Sequence, residues 1–126
     1  MKITIIIPFY NEVVRINLEN FHQIFTAFPN YNFLLVDDGS SDKTIDVLEE
    51  FKSEFSTIEV LKLNKNIGKA EAIRSAVLSI SDADFISYYD ADLATPFSEL
   101  DKLIQFSVQN PNYKMVMGAR IKLIGN

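Results

Sequence analysis

Short apolar runs rich in branched side chains alternate along this chain with stretches whose apolar residues recur at helical spacing, and few architectures accommodate that alternation. The runs are Ile3 to Ile7, Phe33 to Val36, Ile58 to Leu63, Phe85 to Tyr89 and Met115 to Met117, and each predicts a strand. Between them, Leu18, Phe21, Phe25 and Phe28 form one helical stripe, Ile45, Leu48, Phe51 and Phe55 a second, Ile73, Val77 and Ile80 a third, and Leu100, Leu103 and Ile104 a fourth. Strictly alternating strands and helices imply right-handed βαβ crossovers, hence an α/β domain with a mainly parallel sheet and helices on both faces. Runs without internal alternation are buried on both sides, which suits Ile3 to Ile7 and Phe33 to Val36, whereas Ile58 to Leu63 alternates and predicts one wetter face.

The 126 residues, 48% of them hydrophobic, suffice for one compact domain with a single core, and no repeat or linker interrupts them. A net charge of -5 with no cluster of lysines or arginines argues against nucleic acid as a partner. Cysteine is absent, so the chain has no disulfide framework, thiolate metal site or cysteine nucleophile, and a cytoplasmic location is expected. The opening Met1 to Pro8 is too short to span a bilayer and lacks the layout of a signal peptide; it reads as a buried strand.

In open α/β sheets ligands sit beyond the carboxyl ends of the strands. Those positions hold Pro8-Phe9-Tyr10-Asn11-Glu12 after the first strand, Asp37-Asp38-Gly39-Ser40-Ser41-Asp42 after the second, and Asp90-Ala91-Asp92-Leu93-Ala94-Thr95-Pro96 after the fourth, so carboxylates converge on one edge. Gly39 permits a tight turn, and Ser40, Ser41 or Asp42 can cap a helix beginning near Lys43. Asp37 and Asp38 are not explained by the turn: adjacent carboxylates repel unless a donor or cation meets them, which favours ligand contact. In Asp90-Ala91-Asp92 the small middle residue lets two carboxylates project from one turn, a hard-oxygen pair suited to Mg²⁺ or Mn²⁺ shared with substrate phosphates. Thr95 and Pro96 predict a helix start, with the threonine as cap and the proline at the first helical position.

After the third strand, Gly68 admits close approach of a ligand and Lys69 can place a cation near a phosphate, although the glycine spacing of a Walker loop is missing; a solvated lysine at a helix start is the plainer alternative. Arg120, in Gly118-Ala119-Arg120, lies just after the fifth run, where it either forks onto a phosphate or is solvated. His22 falls inside the first helical pattern and is given no role.

Taken together, Ile6-Ile7-Pro8-Phe9-Tyr10-Asn11-Glu12, Val36 to Thr44, Asn66-Ile67-Gly68-Lys69 and Tyr89-Asp90-Ala91-Asp92 resemble glycosyltransferase family 2, with its GT-A fold, in the family's order and across nearly the whole chain. Within it, Gly68 to Arg74 and Asp90 to Pro96 are most similar to the dolichyl-phosphate and polyprenyl-phosphate sugar transferases, especially the glucosyl branch. The resemblance implies transfer of a sugar from a nucleotide diphosphate sugar, of the UDP-glucose type, by inverting, metal-assisted displacement onto an acceptor such as a polyprenyl phosphate or a sugar. It implies a nucleotide pocket lined by Pro8, Tyr10 and Glu12, a hydrogen bond from the base to Asp38, Lys69 near the nucleotide, and the metal on Asp90 and Asp92 flanking Ala91. Arg120 would meet the acceptor's phosphate. Two positions depart from the pattern: Ala94 stands where the mannosyl branch commonly has glutamine, which argues against a mannosyl donor, and Ala76 stands where many relatives have glycine, read as a packing difference.

The same resemblance places the catalytic base and acceptor site after Asn126, so residues 1–126 are expected to be the nucleotide-sugar-binding part of a truncated domain, with about five strands and little turnover of its own. Any attachment to the cytoplasmic face of a membrane would come from elsewhere in a longer protein, and the sheet edge left bare could support a homodimer. A receiver domain of signalling pathways would need its aspartate pair after the first strand, where Tyr10-Asn11-Glu12 stands, and a nucleotidyltransferase would need a basic, glycine-rich loop there. A nucleotide-binding module without catalysis differs from the enzyme only in the absent half.

Overall fold

The computed structural model describes residues 1–115; Met117 and Arg120, with most of the fifth expected strand, lie outside the described residues. The described elements run β1 (Ile3–Phe9), α1 (Leu18–Ala27), β2 (Asn32–Asp37), α2 (Thr44–Glu54), β3 (Ile58–Lys62), α3 (Lys69–Ser79), β4 (Phe85–Tyr88) and α4 (Phe97–Gln109). The four strands form one parallel sheet in the order β3-β2-β1-β4. The first four predicted strands appear within two residues of their expected ends, the usual uncertainty at element boundaries.

Two compact units divide at Ala94 and Thr95. In the first, the register Ile5 to Phe33 and Ile6 to Leu34 assigns alternate residues to opposite faces of the sheet. One face is aromatic. Phe25 of α1 meets Phe33 edge-on at 4.8 Å and Phe51 of α2 at 5.2 Å, while Phe21 lies 5.7 Å from Phe9. On the other face, Ala72 and Ala76 of α3 are fully buried with Ile6, Leu34 and Val36.

That second contact corrects the expected stripe of α3. The buried residues are the two alanines, and Val77 is 39% exposed. Methyl side chains at i and i+4 let the helix lie close to the branched residues of the strands, which turns Val77 outward; Ile73 and Ile80 pack at the border. Ala76 thus fills a packing position. Strand β3, an edge in this sheet, exposes Glu59 and Lys62, which lie three residues apart and so on opposite faces; the exposure follows from the edge position and not from the single wetter face expected there.

Local signals start the helices unevenly. Asn17 caps α1 by accepting from the backbone of Asn20 at 3.1 Å. For α2, Asp42 accepts from both the backbone N–H and the hydroxyl of Thr44, and the hydroxyl bond holds its carboxyl below the ordinary carboxylate range. In the second unit, α4 buries Phe97, Leu100 and Ile104 and begins one residue later than expected. Pro96 takes the cap position without a side-chain cap bond and Thr95 stands outside the helix, because ψ at Pro96 is extended, 138°. No helix among the described residues is long and apolar enough to cross a membrane.

Removing an aromatic ring from the cluster leaves a cavity that neighbouring rings cannot collapse into. Phe25→Ala is expected to lower unfolding stability by about 3–5 kcal/mol. Leu78→Ala, at a residue 70% exposed, should change it by less than about 0.5 kcal/mol. Urea denaturation followed by circular dichroism measures both.

Candidate functional site

The order β3-β2-β1-β4 makes the boundary between β1 and β4 a topological switch point: the chain leaves β1 toward β2, and β4 returns on the opposite side. Backbone pairing between β1 and β4 ends at Ile6, whose carbonyl accepts from Tyr89 at 2.8 Å. Pro8 comes two residues later on the same side of the strand, where no β4 partner remains, so its missing N–H breaks no ladder bond. The sheet therefore opens between the ends of β1 and β4.

A cavity of about 410 Å³ occupies that opening. Its wall contains Pro8, Tyr10, Glu12, Asp38, Lys69, Asp90, Ala91 and Asp92, so all eight residues expected on the donor side share one concavity. Phe9, Asn66 and Gly68 complete it. Arg120 lies outside the described residues.

The β1–α1 loop is tied to the turn before α2. The hydroxyl of Ser40 accepts from Asn11 N–H at 2.9 Å, Asn11 Oδ1 accepts from Ser41 N–H at 2.9 Å, and buried Thr44 accepts from Glu12 N–H at 3.0 Å. Asn11 itself has a left-handed backbone, φ 49°, which asparagine tolerates better than most residues. These bonds set Tyr10 and Glu12 at the cavity.

Of the paired aspartates, Asp38 finds donors for both oxygens within the protein and Asp37 for one only. Asp38, 2% exposed, accepts from Ile67 N–H at 2.9 Å on one oxygen, and from Asn66 Nδ2 at 2.9 Å and Gly68 N–H at 3.1 Å on the other. Asp37 is fully buried; one oxygen accepts from Ser40 N–H at 3.1 Å, and the other is a buried atom without a hydrogen-bond partner. Gly39 makes the approach of the two loops possible: a Cβ there would lie 2.2 Å from the carbonyl carbon of Lys65, and φ is 68°. A turn role and a cavity role thus coexist in Asp38, and Asn66, which sequence reasoning left without a part, is the side chain that joins them. Its signal was an amide donor two residues before a glycine that opens a helix.

Across the cavity, Lys69 Nζ pairs with Asp90 Oδ1 and lies 5.6 Å from the centroid of the Tyr88 ring. The bond to Asp90 raises the lysine's pKa above its ordinary value against the opposing effect of burial, with the charges of Asp90, Tyr88 and Asp92 adding. Asp92 accepts from Ala94 N–H at 2.9 Å, a turn that requires a left-handed backbone at Leu93, φ 58°. For a leucine this is a strained conformation held by its surroundings. Burial, and then the fields of Asp92 and Asp90, pushes the Tyr89 hydroxyl up.

Glu12, Asp38, Asp90 and Asp92 give the wall four carboxylates against the single ammonium of Lys69. Among the described residues no three His, Cys, Asp or Glu side chains gather into a metal cage. Asp90 and Asp92 could hold a divalent cation only as a partial ligand set, completed by water or phosphate oxygens, which is how Mg²⁺ is usually bound beside phosphates.

A family model for glycosyl transferase family 2 matches residues 4–125. The chain belongs to glycosyltransferase family 2. This family 2 chain is 33% identical, over 81% of its length, to the dolichyl-phosphate beta-glucosyltransferase of Saccharomyces cerevisiae, of which it covers 33%. It is 28% identical, over 87% of its length, to the poly(ribitol-phosphate) beta-glucosyltransferase of Bacillus spizizenii, of which it covers 18%. It thus spans less than half the length of these curated relatives. The mannosyltransferase PcManGT of Pyrobaculum calidifontis, solved with GDP-Man and Mn²⁺, matches 84% of the chain at TM-score 0.69 and 22% identity, with 32% of that protein covered. That likeness establishes the fold, the GT-A type of α/β domain, as the family's motifs led us to expect.

Loss of the Asp38 carboxylate strands three donors. Asp38→Ala is expected to lower stability by about 2–3 kcal/mol and to accelerate hydrogen exchange at the amides of Ile67 and Gly68 more than at those of β1, as measured by NMR.

Proposed function

We propose that this chain is the donor-binding portion of a glycosyltransferase that takes a hexose, glucose in the first instance, from a uridine diphosphate sugar. The observation that carries this reading is the placement of the Asp90-Ala91-Asp92 turn on the wall of the same cavity as Tyr10, Glu12, Asp38 and Lys69. A diphosphate cannot enter a cavity with four carboxylates and one ammonium unless additional positive charge accompanies it. Asp90 and Asp92 are the residues that would hold a Mn²⁺ or Mg²⁺ ion, which when bound neutralises charge on the diphosphate and so favours its departure from the sugar.

The chain's own groups account for the rest of donor binding. Pro8 and Tyr10 offer apolar and aromatic surface to the nucleoside. Asp38 retains room for one further donor on the oxygen that meets Ile67, enough for a single bond from the base. Lys69 supplies a mobile positive charge beside the phosphates. The glucosyl assignment is supported by the names of both curated relatives and by Ala94, which replaces the glutamine of the mannosyl branch.

We assign the acceptor to the polyprenyl phosphates, from the similarity of Gly68 to Arg74 and Asp90 to Pro96 to that branch, with Arg120 meeting its phosphate. A phosphate oxygen is already anionic at neutral pH, so inverting displacement onto it asks less of a general base than attack by a sugar hydroxyl. The Bacillus relative carries poly(ribitol-phosphate) in its name, so transfer assays should offer both acceptors.

In calorimetric titrations, UDP and UDP-glucose are expected to bind at least about tenfold tighter with Mn²⁺ than without, a difference on the order of 1.4 kcal/mol. Asp92→Ala should abolish the metal's contribution. GDP-mannose binding as tightly as UDP-glucose would overturn the uridine assignment, and failure of every nucleotide to bind in the presence of Mn²⁺ would overturn the donor-site reading.

A further inference from the structure

Lys69 is the first residue of α3, where a positive charge opposes the helix dipole. Its position is compensated by Asp90, and Asp90 is also half of the carboxylate pair assigned above to a divalent cation. An ammonium and a divalent ion cannot both lie against the same carboxylate oxygen, because their charges repel at that distance.

We propose that Lys69 is a built-in counter-ion that competes with the divalent cation for Asp90, so that the metal binds tightly only once the donor diphosphate draws the ammonium away. The proposal rests on the donor-site reading and adds to it an order and a coupling. Among the residues lining the cavity, Lys69 is the only cation, so its departure from Asp90 removes the one positive side chain held against that carboxylate.

The construction of the loop confines the motion to one side chain. Asp38 holds the amides of Ile67 and Gly68, and Ala72 N–H donates to the Gly68 carbonyl at 2.8 Å, so the backbone entering α3 is fixed immediately before Lys69. The side chain is not fixed in this way. The side chains of Lys69 and Asp90 are 55% and 51% exposed, so the ion pair is open to solvent and to an arriving phosphate, and the centroid of the Tyr88 ring stands 5.6 Å from the ammonium. An exposed pair of this kind is weak enough to exchange partners yet strong enough to bias an equilibrium. A diphosphate offers the ammonium two phosphates in place of one carboxylate, and Asp90 becomes available to the metal as the lysine leaves it. By linkage, the factor by which nucleotide tightens metal binding equals the factor by which metal tightens nucleotide binding.

Mn²⁺ affinity can be read directly from the electron paramagnetic resonance signal of the free ion, without nucleotide and then at saturating UDP. Lys69→Met is expected to bind Mn²⁺ alone roughly three- to tenfold more tightly than the wild type, and the further tightening on adding UDP should be smaller than in the wild type. Lys65→Met, which removes a positive charge from the same loop at a residue outside the cavity lining, should stay near the wild-type value without nucleotide. Asp90→Asn should weaken Mn²⁺ binding in both states. A Lys69→Met chain, folded by circular dichroism, whose Mn²⁺ affinity without nucleotide is no higher than the wild type's overturns the proposal. If the wild type still binds UDP with Mn²⁺ in that case, the counter-ion idea fails alone; if it does not, the donor-site reading fails with it.

Discussion

A buried carboxylate, that of Asp38, gathers Ile67 N–H, Gly68 N–H and the Asn66 amide, and the geometry of the cavity follows from that clasp. It draws the loop after β3 over the end of β2 so closely that only glycine fits at position 39. It also fixes the entry to α3, and with it the point from which Lys69 reaches Asp90. Two loops that are 28 residues apart in sequence thereby become one wall. A charged acceptor is suited to this task, since hydrogen bonds to a carboxylate are stronger than those between neutral groups.

The sheet contributes the opening itself. Parallel strands in the order β3-β2-β1-β4 leave a gap where β1 and β4 part, and Pro8 stands at the one stretch of a central strand where a missing N–H is harmless. The two faces of the sheet are finished differently. Interlocking phenylalanines join α1 and α2 to one side, and two alanines seat α3 tightly on the other, which brings the head of α3 near the strand ends. Packing and site are linked through that helix: its close approach delivers Gly68 and Lys69 to the cavity.

Much of this was legible in the residues. Strand and helix alternation is a direct consequence of hydrophobic periodicity; the strand ends pointed only to loops, Asp37 included, and it was the family resemblance that narrowed them to the eight residues found on one cavity wall. Periodicity failed where size, not polarity, decided the contact: Ala72 and Ala76 bury, while the more apolar Val77 does not. The helix start at Thr95 and Pro96 was misplaced by one residue because proline suits the cap position as well as the first turn, and only the backbone angle distinguishes them. The donors to Asp38 could not be foreseen, since they come from a loop whose path depends on the sheet register. The Lys69–Asp90 pair was hidden for the same reason, as its partners lie 21 residues apart on different elements.

Four carboxylates around one ammonium make the cavity hostile to an anion by itself, so the central claim is that nucleotide diphosphate and metal occupy it together. Paramagnetic broadening of amide NMR signals by substoichiometric Mn²⁺ in the presence of UDP locates the ion directly. The account predicts selective broadening at Gly68, Lys69 and Asp90 to Asp92, with Tyr10 and Glu12 also affected. Broadening centred on other acidic residues, such as Asp82 and Asp84, or spread evenly over the surface, would contradict it.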